Sequence, residues 1–308
     1  MGRIVAVVNQ KGGVGKTTTA INVAAALAIA ERPTLLVDAD PQANATRALG
    51  FDLDPERPSI YDGFNGLAAL DELVLACPGL PHLELVPSSR DLVGVEIELV
   101  DQPRREYRLK SLLETGRARR RHILVDCPPS LGLITLNSLV AADAVLIPVQ
   151  AEYLALEGVS HLMETIEQVR AVFNPGLAVQ GVLMTMYDER TNLAKQVVEE
   201  VRSVFGAQVY STVIPRNVRL SEAPSHGLPI FLYDIRSRGA EAYLSLAKEF
   251  LDHEAQSVGA RSEKSDSTAA AGPAGPRGVP AGLSPAAEDP RGSDGQRSPA
   301  VGSGPDPA

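Results

Sequence analysis

Short apolar runs rich in Val, Ile and Leu alternate with longer segments of helical periodicity along residues 1–254. Because repeated strand–helix–strand units favour parallel pairing, this alternation predicts an α/β fold: a single doubly wound, mostly parallel sheet with helices on both faces. The predicted strands are Ile4–Val8, Thr34–Val37, His82–Val86, His122–Val125, Ala144–Val149, Gly181–Met186 and Thr212–Ile214, and the clearest helices are Lys16–Ala30, Ser160–Phe173, Leu193–Phe205 and Gly239–His253.

Several of the predicted strands end in polar side chains. In open α/β sheets a ligand lies beyond the carboxyl ends of the strands, so these residues are expected to share one edge and to form the functional site there. They are Asn9 and Gln10 after the first strand, Asp38 and Asp40 after the second, and Asp126 and Gln150 further along the chain.

The composition of the chain changes near residue 255. The segment 255–308 contains no aromatic residue and is rich in Pro, Gly, Ala and Ser. Such a segment cannot bury enough apolar surface to offset the entropy lost on ordering. The sequence therefore predicts a folded domain over 1–254, followed by a disordered, solvated tail over 255–308.

Charge and cysteine content narrow the possible functions. The 308 residues carry a net charge of −9, so any contact with nucleic acid needs a local basic patch. The two cysteines lack CxxC spacing and indicate neither a disulfide framework nor a zinc site. With no apolar stretch long enough for a bilayer and no signal-peptide pattern, we expect a cytoplasmic protein.

A glycine-rich segment connects the first predicted strand to the first predicted helix. Glycines allow successive backbone amides to turn inward, and the helix N-terminus adds to the attraction for an anion. Lys16 is then placed to reach the β- and γ-phosphates of ATP, and the Thr17 hydroxyl to hold Mg²⁺. The residues predicted to bind the nucleotide here are Lys11, Gly12, Gly13, Val14, Gly15, Lys16, Thr17 and Thr18.

The loop departs from the ordinary P-loop at one position. Gln10 stands where that motif has glycine, and a second lysine, Lys11, precedes the two glycines. This loop resembles the deviant Walker A motif of the ParA/MinD family. The resemblance implies that Lys11 reaches across a dimer interface to the partner's nucleotide, which would couple ATP occupancy to dimer formation much as an arginine finger does. An exposed loop lysine is the simpler alternative.

The second predicted strand ends in two carboxylates, Asp38 and Asp40. Alternate residues of a strand share a face, and two carboxylates near Mg²⁺ suit metal binding or the positioning of water. The resemblance implies that Asp40 orients the attacking water. The family often has glycine where Ala43 stands. An Asx-type turn before Pro41 is the structural alternative for both carboxylates.

The run from His122 to Asp126 is a Walker B pattern, four residues leading to a strand-terminal aspartate. It predicts that Asp126 holds Mg²⁺ through water. Pro128 and Pro129 stiffen the following turn, as suits a switch segment that senses the γ-phosphate. Cys127 is interpreted as a small buried side chain rather than a redox or cluster ligand.

The C-terminal third looks like chromosomal ParA/Soj proteins in the segments Met184–Asn192, Ile214–Gly227 and Tyr233–Ala240. By that resemblance Pro215 and Asn217 lie near the adenine. Three arginines, Arg190, Arg216 and Arg219, are expected on the DNA-facing side of the dimer, where arginine suits bidentate phosphate contacts. Structural ion pairs are the alternative for each of them.

A run of basic residues, more closely spaced than the three arginines above, precedes the Walker B strand. It leads into the amino end of that strand, opposite the nucleotide. It is either a solvated helix and loop or an auxiliary surface for DNA or a partner. Its members are Arg104, Arg105, Arg108, Lys110, Arg117, Arg119, Arg120 and Arg121.

Together these motifs predict a Mg-dependent ATPase that dimerises with ATP, binds DNA non-specifically on the nucleoid and segregates a chromosome or plasmid. The expected partner is a ParB/Spo0J-like centromere-binding protein that stimulates hydrolysis. Three alternatives remain: an ATPase that positions another cargo, a MinD-like membrane-cycling regulator, and a cluster-bearing ATPase like the nitrogenase iron protein. The sequence has no basic amphipathic C-terminal helix, so we expect no membrane partner.

Overall fold

The computed structural model describes residues 2–152 and 155–269, with side chains described up to residue 255. A seven-stranded sheet lies at its centre, in the order β3-β4-β2-β5-β1-β6-β7. All neighbouring strands run parallel except β3, which is antiparallel to β4. The strands are β1 (Arg3–Val7), β2 (Thr34–Asp38), β3 (Leu75–Ala76), β4 (Leu83–Val86), β5 (His122–Asp126), β6 (Ala144–Gln150) and β7 (Ala178–Thr185).

Helices cover both faces of this sheet, and short 3₁₀ turns connect several of them. The helices are α1 (Lys16–Ile29), α2 (Asn44–Ala48), α3 (Ile60–Asn65), α4 (Leu70–Leu73), α5 (Val95–Glu98), α6 (Arg108–Glu114), α7 (Leu133–Ala141), α8 (Ala155–Val172), α9 (Asn192–Phe205), α10 (Val218–Glu222), α11 (Ile230–Tyr233) and α12 (Arg238–Ala269).

The alternation of side chains along β1 shows how the sheet separates two cores. Ile4 and Ala6 point into a core built with α3 to α9, whereas Val5 and Val7 point into a second core built with α1, α2 and α10 to α12. The central strands are buried on both faces, which explains their nearly continuous apolar sequence. The predicted doubly wound α/β fold is confirmed.

The predicted strand Thr212–Ile214 is wrong. The segment runs beside β7 as an irregular edge, in which the amides of Tyr210 and Ile214 donate to carbonyls of β7. The amides of Ser211 and Thr212 donate instead to the Glu249 carboxylate on α12, at 2.6 and 2.9 Å, so they cannot join a ladder. The sheet instead contains a strand that the sequence did not predict, β3, which has only two residues and gives no periodic signal.

The predicted end of the last helix at His253 is also wrong, because α12 continues to Ala269. Proline is the strongest helix breaker, and the prolines of this region begin only at Pro273, which leaves the helix free to extend. The chain divides into two units, Met1–Ser262 and Glu263–Ala308, and the sheet belongs to the first. The rest of the predicted tail, 270–308, lies outside the described residues. Within the part that is described, no helix is both long and apolar enough to cross a membrane.

Candidate nucleotide site

The glycine-rich loop lies at the carboxyl edge of the sheet and is fixed from two neighbouring strands. The Asn9 side chain donates to the Pro148 carbonyl of β6 at 2.7 Å and accepts the Lys11 amide at 2.9 Å. From β7, the Thr185 hydroxyl donates to the Val14 carbonyl at 2.8 Å. The loop is therefore held in place by the strands on one side of β1.

The backbone of the loop leaves room for an anion. Gly13 and Gly15 adopt left-handed conformations, with φ of 76° and 86°, which favour glycine. A Cβ atom added to Gly12 or Gly13 would meet nothing within 4 Å, so the space beside the loop is open. Gly15 begins α1 without a side-chain cap, which leaves the first amides of the helix available to a phosphate.

Lys16 lies inside the loop rather than on its surface. The residue is buried, and its ammonium donates to the Lys11 carbonyl at 3.0 Å. Burial lowers the pKa of Lys16, while the negative charges of Asp126 and Asp40 oppose that shift. The Lys16 ammonium is thus held across the loop by the Lys11 carbonyl, within the electrostatic influence of Asp126 and Asp40.

Lys11 has a different environment from Lys16. Its side chain is 43% exposed and its ammonium forms an ion pair with the carboxylate of Glu152, just beyond β6. The loop's two lysines therefore have separate environments, because one bonds to its own loop and the other lies at the rim.

Asp126 at the end of β5 is fully buried, and neither carboxylate oxygen has a hydrogen-bond partner of ordinary geometry within the described structure. Burial raises the pKa of Asp126 well above its usual value, and the charge of Asp38 adds to the shift. The nearby Thr17 hydroxyl and the Lys16 ammonium lower it. An unpartnered carboxylate beside a threonine hydroxyl fits a hydrated Mg²⁺ ion.

Asp38 lies in register with Asp126 on the adjacent parallel strand, but its carboxylate is already occupied. One oxygen accepts the Thr46 amide at 2.8 Å and the Thr46 hydroxyl at 2.7 Å, and the other accepts the Asp40 amide. Burial raises the pKa of Asp38 to about 6, although the hydrogen bonds from Thr46 oppose the shift. Asp38 therefore fixes the start of α2, and its carboxylate is more fully hydrogen-bonded than that of Asp126.

Asp40 is buried at the edge of the site. One carboxylate oxygen accepts the Gln42 amide at 2.9 Å, so the Asx-type turn named as the structural alternative for Asp40 does form. The Asp40 carbonyl accepts the Ser88 hydroxyl at 2.7 Å, which joins this turn to the end of β4. Ala43 follows with a φ of 52°, a left-handed conformation that costs roughly 1 kcal/mol without glycine and explains why the family often has glycine there.

Comparison with known proteins identifies the family. Residues 2–179 match the AAA domain family. The chain is 55% identical over 251 residues to the Chromosome partitioning protein ParA of Myxococcus xanthus, covering 82% of this chain and 88% of the relative. It is 53% identical over 249 residues to the Sporulation initiation inhibitor protein Soj of Bacillus subtilis, covering 81% and 98%. The chain belongs to the ParA/Soj family of P-loop ATPases.

A solved structure agrees with this assignment. The Cobyrinic Acid a,c-diamide synthase from Mycobacterium smegmatis, with bound ADP and magnesium, superimposes with a TM-score of 0.72 at 37% identity, covering 82% of this chain and 95% of that one. The predicted family is thereby confirmed, and with it an ATPase that uses ATP and Mg²⁺.

The residues predicted to lie near the adenine of this ParA/Soj ATPase follow β7 along the same edge. Pro215 pairs with Tyr187, just past Thr185, whose side chain contacts the phosphate loop. Asn217 accepts the Arg219 amide at 2.8 Å and caps α10. An adenine contact for Pro215 and Asn217 stays a prediction.

The three arginines predicted to face DNA do not all lie together. Arg190 and Arg216 line one pocket of about 380 Å³ with Arg238, which the sequence did not single out. Arg190 makes a two-pronged ion pair with Asp188 and lowers the pKa of that carboxyl to about 2. Arg219 is held separately on α10.

The environment of Arg219 differs from that pocket. Its guanidinium forms ion pairs with Glu222 at 2.9 Å and with Asp234 at 3.5 Å. The side chain is 54% exposed, so these pairs contribute little stability and leave the cation accessible.

The C-terminal part of the basic run, Arg117 to Arg121, lies at the amino edge of the sheet, as predicted, and several of its members are structural. Arg117 forms an ion pair with Asp143 and donates to the Gly2 carbonyl. The side chain of Arg120 is only 5% exposed and forms an ion pair with Glu84 at 2.6 Å. These contacts favour a structural interpretation over a DNA surface on this side.

The two cysteines are buried on opposite faces of the sheet. Burial raises the pKa of both Cys77 and Cys127 to about 12, which keeps them as neutral thiols. Among the described residues, no group of three or more His, Cys, Asp or Glu side chains could hold a metal ion. This environment is unlike that of a cluster ligand.

Sequence reasoning missed four residues of the site of this family member: Ser88, Glu152, Thr185 and Arg238. Two of them had a usable signal, because Thr185 ends a strand and Glu152 follows one closely, at the edge where ligands bind. Ser88 had none, and Arg238 appeared only within the Tyr233–Ala240 resemblance, since only the folded chain brings these residues to Asp40 and to Arg216.

Proposed function

We propose that this chain is a DNA-partition switch. ATP binding closes a homodimer in the cytoplasm, and this dimer binds DNA of the nucleoid non-specifically. Hydrolysis releases the protein from the DNA. A ParB/Spo0J-like centromere-binding protein stimulates hydrolysis, and the cargo is a chromosome or plasmid. The support is the identity of 55% and 53% to a chromosome partitioning protein and to Soj, across most of each relative.

The observation that supports an ATP-dependent switch is that the two lysines of the loop have different environments. Lys16 is buried and bonded within its own loop, whereas Lys11 is exposed at the rim and paired only with a surface carboxylate. A cation at the rim is free to complete a second copy's nucleotide site. ATP binding and dimerisation are then linked, because each site lacks one positive charge until the partner supplies it.

The residues of each site have distinct tasks under this proposal. Lys16 and the amides of the loop hold the phosphates, and Thr17 with Asp126 orients hydrated Mg²⁺. The ion supplies charge neutralisation at the phosphates when it is bound. Asp40 positions the attacking water with the carboxylate oxygen that the Gln42 amide does not occupy. Catalysis rests on positioning and charge rather than on covalent chemistry.

The DNA surface proposed here is the pocket formed by Arg190, Arg216 and Arg238, extended by Arg219, which follows Val218 of the pocket lining on α10. Arg190 and Arg238 are 82% and 71% exposed, and their acidic partners Asp188 and Glu189 lie at the surface beside them. Exposed ion pairs are worth at most about 1 kcal/mol, so phosphates can replace these carboxylates. Tyr187 of the pocket lining follows Thr185 by two residues, and the Thr185 hydroxyl donates to the Val14 carbonyl of the phosphate loop.

Retention on random-sequence duplex DNA tests the proposal. We expect binding with ATP, loss with ADP, and weakening at raised salt, because phosphate contacts release counterions. Arg216→Ala is expected to weaken binding and to reduce the salt slope by about one. Arg119→Ala is the matched control, an exposed arginine at the opposite edge of the sheet.

Two results would contradict a DNA-partition role. Absence of DNA binding in every nucleotide state, with ATP hydrolysis retained, would indicate an ATPase that positions another cargo. ATP-dependent binding to liposomes in place of DNA would indicate a MinD-like membrane cycle.

A further inference from the structure

Thr185, the last residue of β7, is bonded directly to the phosphate loop. The residue is buried, and its hydroxyl donates to the Val14 carbonyl at 2.8 Å. A Cβ atom added to Gly15 would lie 3.9 Å from the Thr185 side chain, so this side chain forms one wall of the loop. The Thr185 carbonyl also accepts the Ala151 amide at 3.3 Å, just after β6. A shift of the loop would therefore displace Thr185.

Met186, the next residue, has an unfavourable backbone conformation. Its φ is 51°, a left-handed value that a residue with a Cβ atom disfavours. Hydrogen bonds fix the chain on both sides of it, because Thr185 is bonded to the loop and the Tyr187 amide donates to the Ile214 carbonyl at 3.0 Å. Backbone strain persists only where the surrounding structure fixes it in this way. Met186 is thus a strained joint between two anchored segments.

The three residues after Met186 each hold one arginine of the proposed DNA pocket. All three contacts lie within a stretch of consecutive residues, so a displacement of that stretch moves the three arginines together. The contacts are the hydrogen bond from the Arg216 amide to the Tyr187 carbonyl at 3.0 Å, the ion pair of Arg190 with Asp188 at 2.7 Å, and the ion pair of Arg238 with Glu189 at 3.5 Å.

We propose that Met186 is the positioning residue that couples phosphate occupancy of the loop to the arrangement of the three arginines, an inference that rests on the proposed function. A bound phosphate draws the loop amides toward it, and the Val14 carbonyl moves Thr185 with the loop. The left-handed region is narrow for a residue with a Cβ atom, so Met186 transmits this shift to residues 187–189 instead of absorbing it. Part of the nucleotide dependence of DNA binding then lies within each protomer, in addition to what dimerisation contributes.

Amide hydrogen exchange on the full-length chain measures this coupling. Inorganic tripolyphosphate with Mg²⁺, at saturating concentration, is the probe, because it fills the loop but lacks the adenine predicted beside Pro215. The Lys11→Ala variant is the background, so that dimerisation does not contribute. We expect tripolyphosphate to slow exchange at the amides of Tyr187 and Arg216 relative to the Arg121 amide, which is bonded at the opposite edge of the sheet.

Substitutions at Thr185 test the link to the loop. Thr185→Val should abolish the slowing at Tyr187 and Arg216 and lower the gain in DNA affinity that ATP produces by about two- to tenfold, the effect of one lost hydrogen bond. Thr185→Ser keeps the hydroxyl and should restore both. Thr34→Val is the matched control, because Thr34 is also buried and its hydroxyl donates to the Arg32 carbonyl at 2.8 Å, at the amino edge of the sheet.

Met186→Gly tests the joint itself. Glycine adopts positive and negative φ with similar ease, so the variant removes the strain and lets the joint absorb the shift. It should bind tripolyphosphate as tightly as the background protein and still lose the slowing at Arg216. A purely structural Met186 would instead give a variant with altered stability and unchanged slowing.

Three results would overturn the coupling. Tripolyphosphate could leave Tyr187 and Arg216 unchanged relative to Arg121, the slowing could persist in full in Thr185→Val or Met186→Gly, or Thr34→Val could lose it equally. Absence of DNA retention by the wild type, with the slowing present, would reject the partition function and leave the coupling intact.

Discussion

The Lys11 ammonium is paired with the Glu152 carboxylate of the same chain, although 141 positions separate the two residues in sequence. The pair closes over the rim of the phosphate loop. In the proposed dimer the same ammonium reaches the partner's nucleotide, so this ion pair must break before the dimer can form. Glu152 then competes with the nucleotide of a second copy for one cation.

Neutralising Glu152 should favour the dimer. Glu152→Gln is expected to lower the protein concentration for half-maximal ATP-dependent dimerisation by up to about thirtyfold, since each of the two pairs that break contributes about 0–1 kcal/mol. Sedimentation velocity across a concentration series measures this. Glu157→Gln, an exposed acid on α8, is the control for net charge. A weaker dimer in Glu152→Gln would mean that Glu152 supports the interface.

Asp126→Asn should stabilise the free protein. The variant removes a buried carboxyl group whose ionisation is opposed by burial and whose oxygens have no hydrogen-bond partner of ordinary geometry, so the free energy of unfolding at neutral pH should rise by about 1–2 kcal/mol without nucleotide and Mg²⁺. Adding Mg-ATP should stabilise the wild type more than the variant. Chemical denaturation with and without Mg-ATP measures both effects, and an apo variant less stable than wild type would contradict the assignment of Asp126.

The same carboxyl predicts a pH dependence of stability. The pKa of Asp126 is raised well above 3.8 in the folded state, so folded protein keeps this proton where the unfolded chain has lost it. Its contribution therefore falls as pH rises through the interval above about 4. The stability advantage of Asp126→Asn over wild type should widen between about pH 5 and about pH 7, and a constant difference would argue against the buried, unpartnered carboxylate.

Asp40→Ala should separate hydrolysis from binding. Loss of the water-positioning carboxylate is expected to slow phosphate release by about 10²-fold or more, while ATP binding and retention on DNA persist. The Ser88 contact involves the Asp40 carbonyl, so the variant keeps that hydrogen bond. A variant that hydrolyses ATP at the wild-type rate would assign the water to another group.

Two neighbouring arginines of the basic run should differ in their effect on stability. Arg120→Met should cost about 1–3 kcal/mol in the free energy of unfolding, because the side chain is 5% exposed and bonded to Glu84. Arg119→Met, at 71% exposed, should change it by at most about 0.5 kcal/mol. Equal losses in the free energy of unfolding would mean that the basic run stabilises the fold as a whole. Weaker DNA retention in either variant would support the alternative that the run is a DNA-binding surface.

The sequence by itself determined the strand, loop and helix around Lys16 and Thr17. The signals used here are local: glycines suited to positive φ, an apolar run of strand length and the start of a helix. They predict the same local structure in any tertiary context. The positions of Asp38, Asp40 and Asp126 at the carboxyl edge also followed, because parallel strands end together. The local signal failed at Thr212–Ile214, where the Glu249 carboxylate takes the amides that a strand would need.

Only the tertiary structure decided what each polar group does. Asp38 and Asp126 end adjacent strands in the same register, yet Thr46 hydrogen-bonds to the first carboxylate, whereas the second has no hydrogen-bond partner of ordinary geometry in the described structure. The pairing of Lys11 with Glu152 and the contact of Glu96 with Gly132 join segments far apart in sequence. Whether a polar group is buried and hydrogen-bonded depends on which residues the fold brings within about 3 Å of it. The local sequence does not specify these tertiary neighbours.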